Sequence, residues 1–135
     1  MVVFPRRPGG QSQFSAFVTY RDAVKRPEIQ ELNAWILAHP GEDLSVEALA
    51  DRMGMSPRNF ARLFHSETGD TPGQFAERAR ADAARLKLEE SNLPVETIAE
   101  QCGFGNAERM RRTFQRLFQV SPHDYRARFR STLLN

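Results

Sequence analysis

The chain holds a single cysteine, Cys102, in 135 residues, which excludes a disulfide within the chain and any multi-cysteine zinc site. Cys102 falls on the apolar face of an expected helix, where it should pack as a small hydrophobe. The three histidines, His39, His65 and His123, show no ligand spacing, so neither a metal nor a cofactor is expected. Apolar runs are far too short to cross a bilayer, and Met1 to Arg7 contains no apolar stretch of signal-peptide length. The expectation is a soluble, cytoplasmic chain without membrane contact. Gly9-Gly10 precedes no strand-helix unit of the phosphate-cradling kind. No serine, cysteine or histidine is placed with partners that suggest a nucleophile, and no enzymatic activity is expected.

What the chain has instead is the same segment twice, roughly fifty residues apart. Leu44 to Arg78 aligns on Leu93 to Arg128: Leu44 on Leu93, Val46 on Val95, Glu47 on Glu96, Ala50 on Ala99 and Gly54 on Gly103. After one inserted residue, Arg62 meets Arg112, Phe64 meets Phe114, Pro72 meets Pro122 and Arg78 meets Arg128. Each copy reads helix, glycine turn, helix, which is a helix-turn-helix pattern. Two copies suggest a protein that grips two successive stretches of DNA groove.

The coarse reading is all-α throughout. Ile29, Leu32, Trp35 and Ile36 keep a helical period, which His39-Pro40-Gly41 ends. Ser45 can cap the next helix, whose apolar positions are Val46, Leu49, Ala50 and Met53, and Gly54 supplies the positive φ of a tight turn. Ser56-Pro57 opens a helix with Phe60, Leu63 and Phe64 buried, closed by Gly69. Thr71-Pro72 starts a longer helix to about Glu90, with Phe75, Ala79, Ala83 and Leu86 expected to face inward. Its length would be roughly 28 Å at about 1.5 Å per residue, close to the ~34 Å repeat of the major groove. The second copy repeats these devices through Val95, Ile98, Ala99 and Cys102, the turn at Gly103, a cap at Asn106, and Met110, Phe114, Leu117 and Phe118. Ser121-Pro122 begins a last helix with Tyr125 and Phe129 inward and Arg126, Arg128 and Arg130 expected largely outward.

Nineteen Lys and Arg against seventeen Asp and Glu give a net charge of +2, which conceals strong segregation. Pro27 to Phe104 carries seven basic and fourteen acidic residues, whereas Gly105 to Asn135 carries seven arginines against Glu108 and Asp124. A basic segment of this kind is a footprint of nucleic-acid binding, and equally of a solvated arginine-rich helix surface.

Burying the stripes leaves definite faces free. The first copy turns Arg58, Asn59, Ala61, Arg62 and His65 toward solvent, and the second turns Glu108, Arg109, Arg111, Arg112 and Gln115. Arginine can donate two hydrogen bonds to guanine, asparagine or glutamine can pair with adenine, and glutamate can accept from cytosine. Amides at the helix starts beside Ser56 and Asn106 suit phosphates. Glu108 would also serve as a first-turn carboxylate facing the helix dipole; His65 suits a phosphate-side or plain surface position; Ala61 and Ala107 offer at most a methyl contact with thymine. A helical adaptor binding protein through the same arginine faces is the alternative. RNA is less suited because the aromatics are used in the core.

Gly103-Phe104, Arg112-Thr113-Phe114 and the closing Val120-Ser121-Pro122-His123-Asp124-Tyr125-Arg126 resemble the signature of AraC/XylS-type transcription regulators, over about Arg26 to Arg130. That resemblance implies a homeodomain-like bundle of seven helices over 27–135. A first helix-turn-helix unit at about 27–71 and a second at about 93–130 would be joined by a linker helix at about 72–90. It implies binding to double-stranded DNA, activation near RNA polymerase, and recognition helices over Ser56 to Ser66 and Asn106 to Phe118. Contacts carried over from the family fall on Arg58, Ala61 and Arg62, and on Ala107, Glu108, Arg111 and Arg112. Two positions depart from the pattern: Met110 stands where an aromatic is common, and Gln119 where a closing glycine is. Residues 1–26 read as a linker or tail, and Val2 to Phe14 is similar to the junction in family members with an N-terminal glutamine-amidotransferase-like sensor domain. On that resemblance the chain is a monomeric fragment whose dimer contacts would lie in a missing N-terminal domain.

Overall fold

Proline and small polar side chains set the helix starts. Helices begin at Pro27, Pro57, Pro72 and Pro122, where the missing N–H of proline costs nothing. Ser45, Ser56, Thr71, Asn106 and Ser121 each accept a hydrogen bond from the N–H three residues on. At Thr71 the arrangement is reciprocal, because Gln74 reaches back to the Thr71 N–H in a capping box.

The computed structural model describes residues 25–134, and these form seven helices: α1 Pro27–Ala38, α2 Val46–Arg52, α3 Pro57–Thr68, α4 Pro72–Glu90, α5 Val95–Gln101, α6 Ala107–Phe118 and α7 Pro122–Leu134. Apart from Lys25 and Arg26, the expected linker at 1–26 and the junction at Val2 to Phe14 lie outside the described residues. Helices α2 and α3 form one turn-linked pair and α5 and α6 the other, with Gly54 at φ 67° and Gly103 at φ 88° in the turns. At the end of α3, Gly69 takes the left-handed conformation, and at the end of α6 Gln119 takes it instead, at φ 56°. Gln119, standing where the family pattern has a closing glycine, is thus held in a strained conformation.

Two apolar clusters fill the interior. The first joins α1, α2 and α3 to the start of α4 through Ile29, Ile36, Leu49, Phe60, Phe64 and Phe75. The second joins the rest of α4 to α5, α6 and α7 through Leu88, Ile98, Cys102, Met110, Phe114 and Tyr125. Phe64 meets Phe75 edge-on at 5.7 Å, and its repeat partner Phe114 meets Tyr125 edge-on at 6.4 Å. Met110 is fully buried in place of the aromatic. Burial pushes the Cys102 thiol up to about 11, as expected of a packed hydrophobe.

Helix α4 corrects the expected inward face. Phe75 and Ala79 are buried, but Ala83 is only half-buried and Leu86 is 39% exposed. Along the second half the buried positions are Ala81, Asp82, Ala84, Arg85 and Leu88. The reason is that α4 serves two cores on different sides, so its apolar stripe shifts sides midway. Its later half carries a buried polar network: Arg85 pairs with Asp82, donates to Glu89 at 3.3 Å, and Tyr125 Oη of α7 donates to Glu89.

The arginines of α7 are a second correction. Arg128 is exposed, but Arg126 and Arg130 are half-buried. Arg126 donates to the carbonyls of Leu88 and Ser91 at 3.2 and 3.1 Å, and Arg130 donates to Ser91 O at 2.9 Å. The end of α4 leaves carbonyls without helical partners, and these guanidinium groups satisfy them.

The α1–α2 loop also touches the second turn-linked pair directly. Arg80 of α4 donates to Pro40 O at 3.1 Å and to Glu42 O at 3.2 Å, holding the α1–α2 loop. A Cβ on Gly103 would overlap Pro40 O and come within 2.7 Å of Arg80 Nε, and one on Gly41 would sit 2.5 Å from Gln101 O. Gly103 is thus required twice, for the turn and for the close approach. Gly54 → Ala, with open space around it, should cost only the left-handed penalty of about 1–2 kcal/mol, whereas Gly103 → Ala should cost more than about 3 kcal/mol. Urea unfolding measures both, and equal losses would mean that the loop contact is not made in solution. Conversely, Gln119 → Gly should raise stability by about 0.5 kcal/mol, the relieved strain less the added freedom of the unfolded chain; no gain in denaturation midpoint would contradict the conformation described.

Candidate nucleic-acid interface

Helix α3 presents an open basic face. With Phe60 and Phe64 fully buried and Leu63 half-buried, Arg58, Asn59, Arg62 and His65 are exposed, while Ala61 is half-buried. Ser56 is exposed at the helix start, with its Oγ accepting from the Asn59 N–H at 3.2 Å. Among the described residues no carboxylate pairs with Arg58 or Arg62, and the first turn of α3 contains no acid. Both guanidinium groups are therefore available to an incoming acceptor.

Helix α6 is arranged differently. Met110, Thr113 and Phe114 are buried, and Glu108, Arg109, Arg111, Arg112 and Gln115 are exposed. Asn106 Oδ1 accepts from the Arg109 N–H at 2.8 Å. Ala107 is half-buried and packs on the second core, so its methyl is less open than its position on the helix suggested. Glu108 receives a fork from Arg111, at 2.9 and 2.8 Å, and has Arg112 Nε at 3.8 Å. The Arg111 hydrogen bonds hold the Glu108 carboxyl below its ordinary range. All three side chains are about half or more exposed, and such surface pairs contribute little stability, so they can exchange for other partners.

The sequence reading brought together the exposed faces but missed a set of residues between α4 and α6. Arg116 Nη1 donates to Glu77 Oε1 at 2.7 Å, and its other nitrogen closes a fork on the same carboxylate. Thr113 Oγ1 donates to Glu77 at 3.3 Å. The Arg116 hydrogen bonds hold the Glu77 carboxyl down, against a smaller opposing effect of burial. Arg80, Arg109, Arg112 and Arg116 all border the same hollow. Glu77 and Arg116 lie 39 residues apart, and no spacing rule within one helix could have paired them. Among the described residues no group of three His, Cys, Asp or Glu side chains is placed to hold a metal, and no helix is long and apolar enough to cross a membrane.

A helix-turn-helix domain family matches residues 49–128 of the chain. The chain is 52% identical over 81 residues to the HTH-type transcriptional regulator Rv1931c of Mycobacterium tuberculosis, a match covering 60% of this chain and 31% of that protein's length. It is 36% identical over 98 residues to the multiple antibiotic resistance protein MarA of Escherichia coli, covering 73% of this chain and 77% of MarA. The DNA-binding domain of the global transcriptional factor AdpA, solved in complex with a target DNA, superimposes with a TM-score of 0.73 at 39% identity, over 77% of this chain and 94% of that one. Two glycine-turn helix pairs hung on one long helix, with the matches in both sequence and fold, make this chain a member of the helix-turn-helix family of AraC-type transcription regulators, as their DNA-binding domain.

Proposed function

We propose that this domain activates transcription by placing α3 and α6 in successive major-groove segments on one face of duplex DNA. The observation that carries the reading is the pairing of two exposed polar helix faces through one 19-residue helix, whose length of roughly 28 Å approaches the ~34 Å groove repeat. In this reading 27–71 is the first unit, 72–90 the linker helix and 93–130 the second unit. AdpA's domain was solved on DNA and RhaS, another relative, is named a transcriptional activator; both support the proposal.

The residues assigned to DNA are Arg58, Asn59, Arg62 and His65 with the Ser56 helix start, and Glu108, Arg109, Arg111, Arg112 and Gln115 with the Asn106 helix start. Ala61 and Ala107 take thymine methyl contacts at most. Arg62 and Arg112 occupy matched positions in the repeat, and each is assigned a bidentate contact to guanine. RNA polymerase beside the site, a cytoplasmic setting, and dimerisation through an N-terminal domain complete the proposal. The sensor-domain subgroup rests on the resemblance at residues 2–14 alone. The matched stretch is 31% of the length of Rv1931c.

Selection from a random duplex library, followed by titration of the best site and a scrambled control at several salt concentrations, tests the reading. Two sequence blocks about ten base pairs apart are expected. Arg62 → Ala and Arg112 → Ala should each weaken binding to the selected site by about 1–3 kcal/mol and change binding to the scrambled duplex much less. Equal losses on both duplexes would reassign that arginine to phosphate; no selected motif would sink the two-helix reading.

A further inference from the structure

A groove of about 650 Å³ runs between the first half of α4 and the side of α6, and four arginines, Arg80, Arg109, Arg112 and Arg116, border it with Glu77 as the one carboxylate. Arg109, Arg112 and Arg116 are spaced i, i+3 and i+7 along α6, so they share one side of that helix. Arg80 is fixed at the inner wall by its bonds to Pro40 O and Glu42 O, beside Gly103. Burial, and then the charge of Arg109, disfavour the cationic form of Arg80. Four arginines thus gather around Glu77, with Glu108 beside Arg112 and Asp43 within electrostatic reach of Arg80. Gly73 and Gln74, in the opening turn of α4, border the same groove, a few residues after α3 ends at Thr68. The groove therefore reaches from the start of α4, which follows α3 in the chain, to the side of α6.

We propose that this groove is a phosphate site that takes the DNA backbone joining the two segments read by α3 and α6. The proposal rests on the two-helix reading above and deepens it. Arg116 forks the Glu77 carboxylate with both terminal nitrogens, the geometry guanidinium also offers to phosphate oxygens. Glu77 acts as the resident anion of the free protein. The phosphodiester competes for Arg116 and recruits Arg109 from the same helix side. This contact carries no sequence information, but it fixes how far apart the two segments can lie.

The test uses the selected duplex with single methylphosphonate linkages, which remove one backbone charge each, placed in turn through the spacer between its two blocks. One or two positions should cost the wild type about tenfold in affinity, the equivalent of one charge-assisted contact. Arg116 → Gln should lose about tenfold on unmodified DNA, show a salt slope smaller by about 0.9, and gain no further penalty at those positions. Glu77 → Gln should tighten binding to selected and scrambled duplexes alike. Both side chains are partly exposed, so the variants should fold. Spacer linkages that are all harmless, or an Arg116 → Gln protein still penalised in full, overturn the groove assignment, and a retained Arg112 → Ala loss on the selected site would leave the two-helix reading standing. Inorganic phosphate that raises the melting temperature of the DNA-free wild type but not of Arg116 → Gln, without any methylphosphonate penalty, assigns the groove to a free anion and overturns the backbone contact. A chain that selects no duplex overturns both.

Discussion

The burial of α4 on two sides is the constraint from which the rest follows. Its first half gives Phe75, Ala76 and Ala79 to one core and its second half gives Ala81, Ala84 and Leu88 to the other. Alanine at four of these positions lets neighbouring helices come close, and all four favour the helix itself. A small domain of this length cannot bury much surface per unit, so a shared wall spares each half from having to build a complete core. Any rotation of α4 would disturb both cores together. The angle between α3 and α6 is thus tied to packing rather than left to a flexible link.

Polar contacts fix what apolar contact leaves free. Hydrophobic burial is non-directional, whereas the Tyr125 hydroxyl of α7 donates to Glu89 of α4, itself held by Arg85 and through it Asp82, a directional contact between the two helices. Burial raises the Asp82 carboxyl even with Arg85 beside it, so this pair defines geometry more than it adds stability. Arg80 of α4 does the equivalent work for the α1–α2 loop, which it holds against the turn at Gly103.

The two copies share a plan but not a surface. Among the described residues no carboxylate pairs with the arginines of α3, while Arg111 and Arg112 of α6 are engaged by Glu108 and Arg116 by Glu77. On the proposed reading, a duplex would meet guanidinium groups without a paired carboxylate on α3 and would exchange carboxylates for its own acceptors on α6. The basic character of the C-terminal segment is correspondingly smaller at the surface than its composition implies. Arg126 and Arg130 hold the end of α4, and Arg116 is held by Glu77.

Much of this was legible in the chain because it depends on neighbours a few residues apart. Caps at Ser45, Ser56, Thr71 and Asn106, the turns at Gly54 and Gly103, the apolar stripes and the exposed faces all follow from helical period and local backbone chemistry. Repetition made the plan legible twice over. The tertiary structure alone decided where the stripe on α4 changes sides, since an alanine-rich helix presents small apolar groups on several faces and only the neighbours select among them. It also decided that Gly103 faces Pro40 O, that Arg126 meets the carbonyls of α4, and that Glu77 finds Arg116 across 39 residues. Helix period says which residues share a side; which other helix meets that side is settled by packing, because long-range pairing has no counterpart in local spacing.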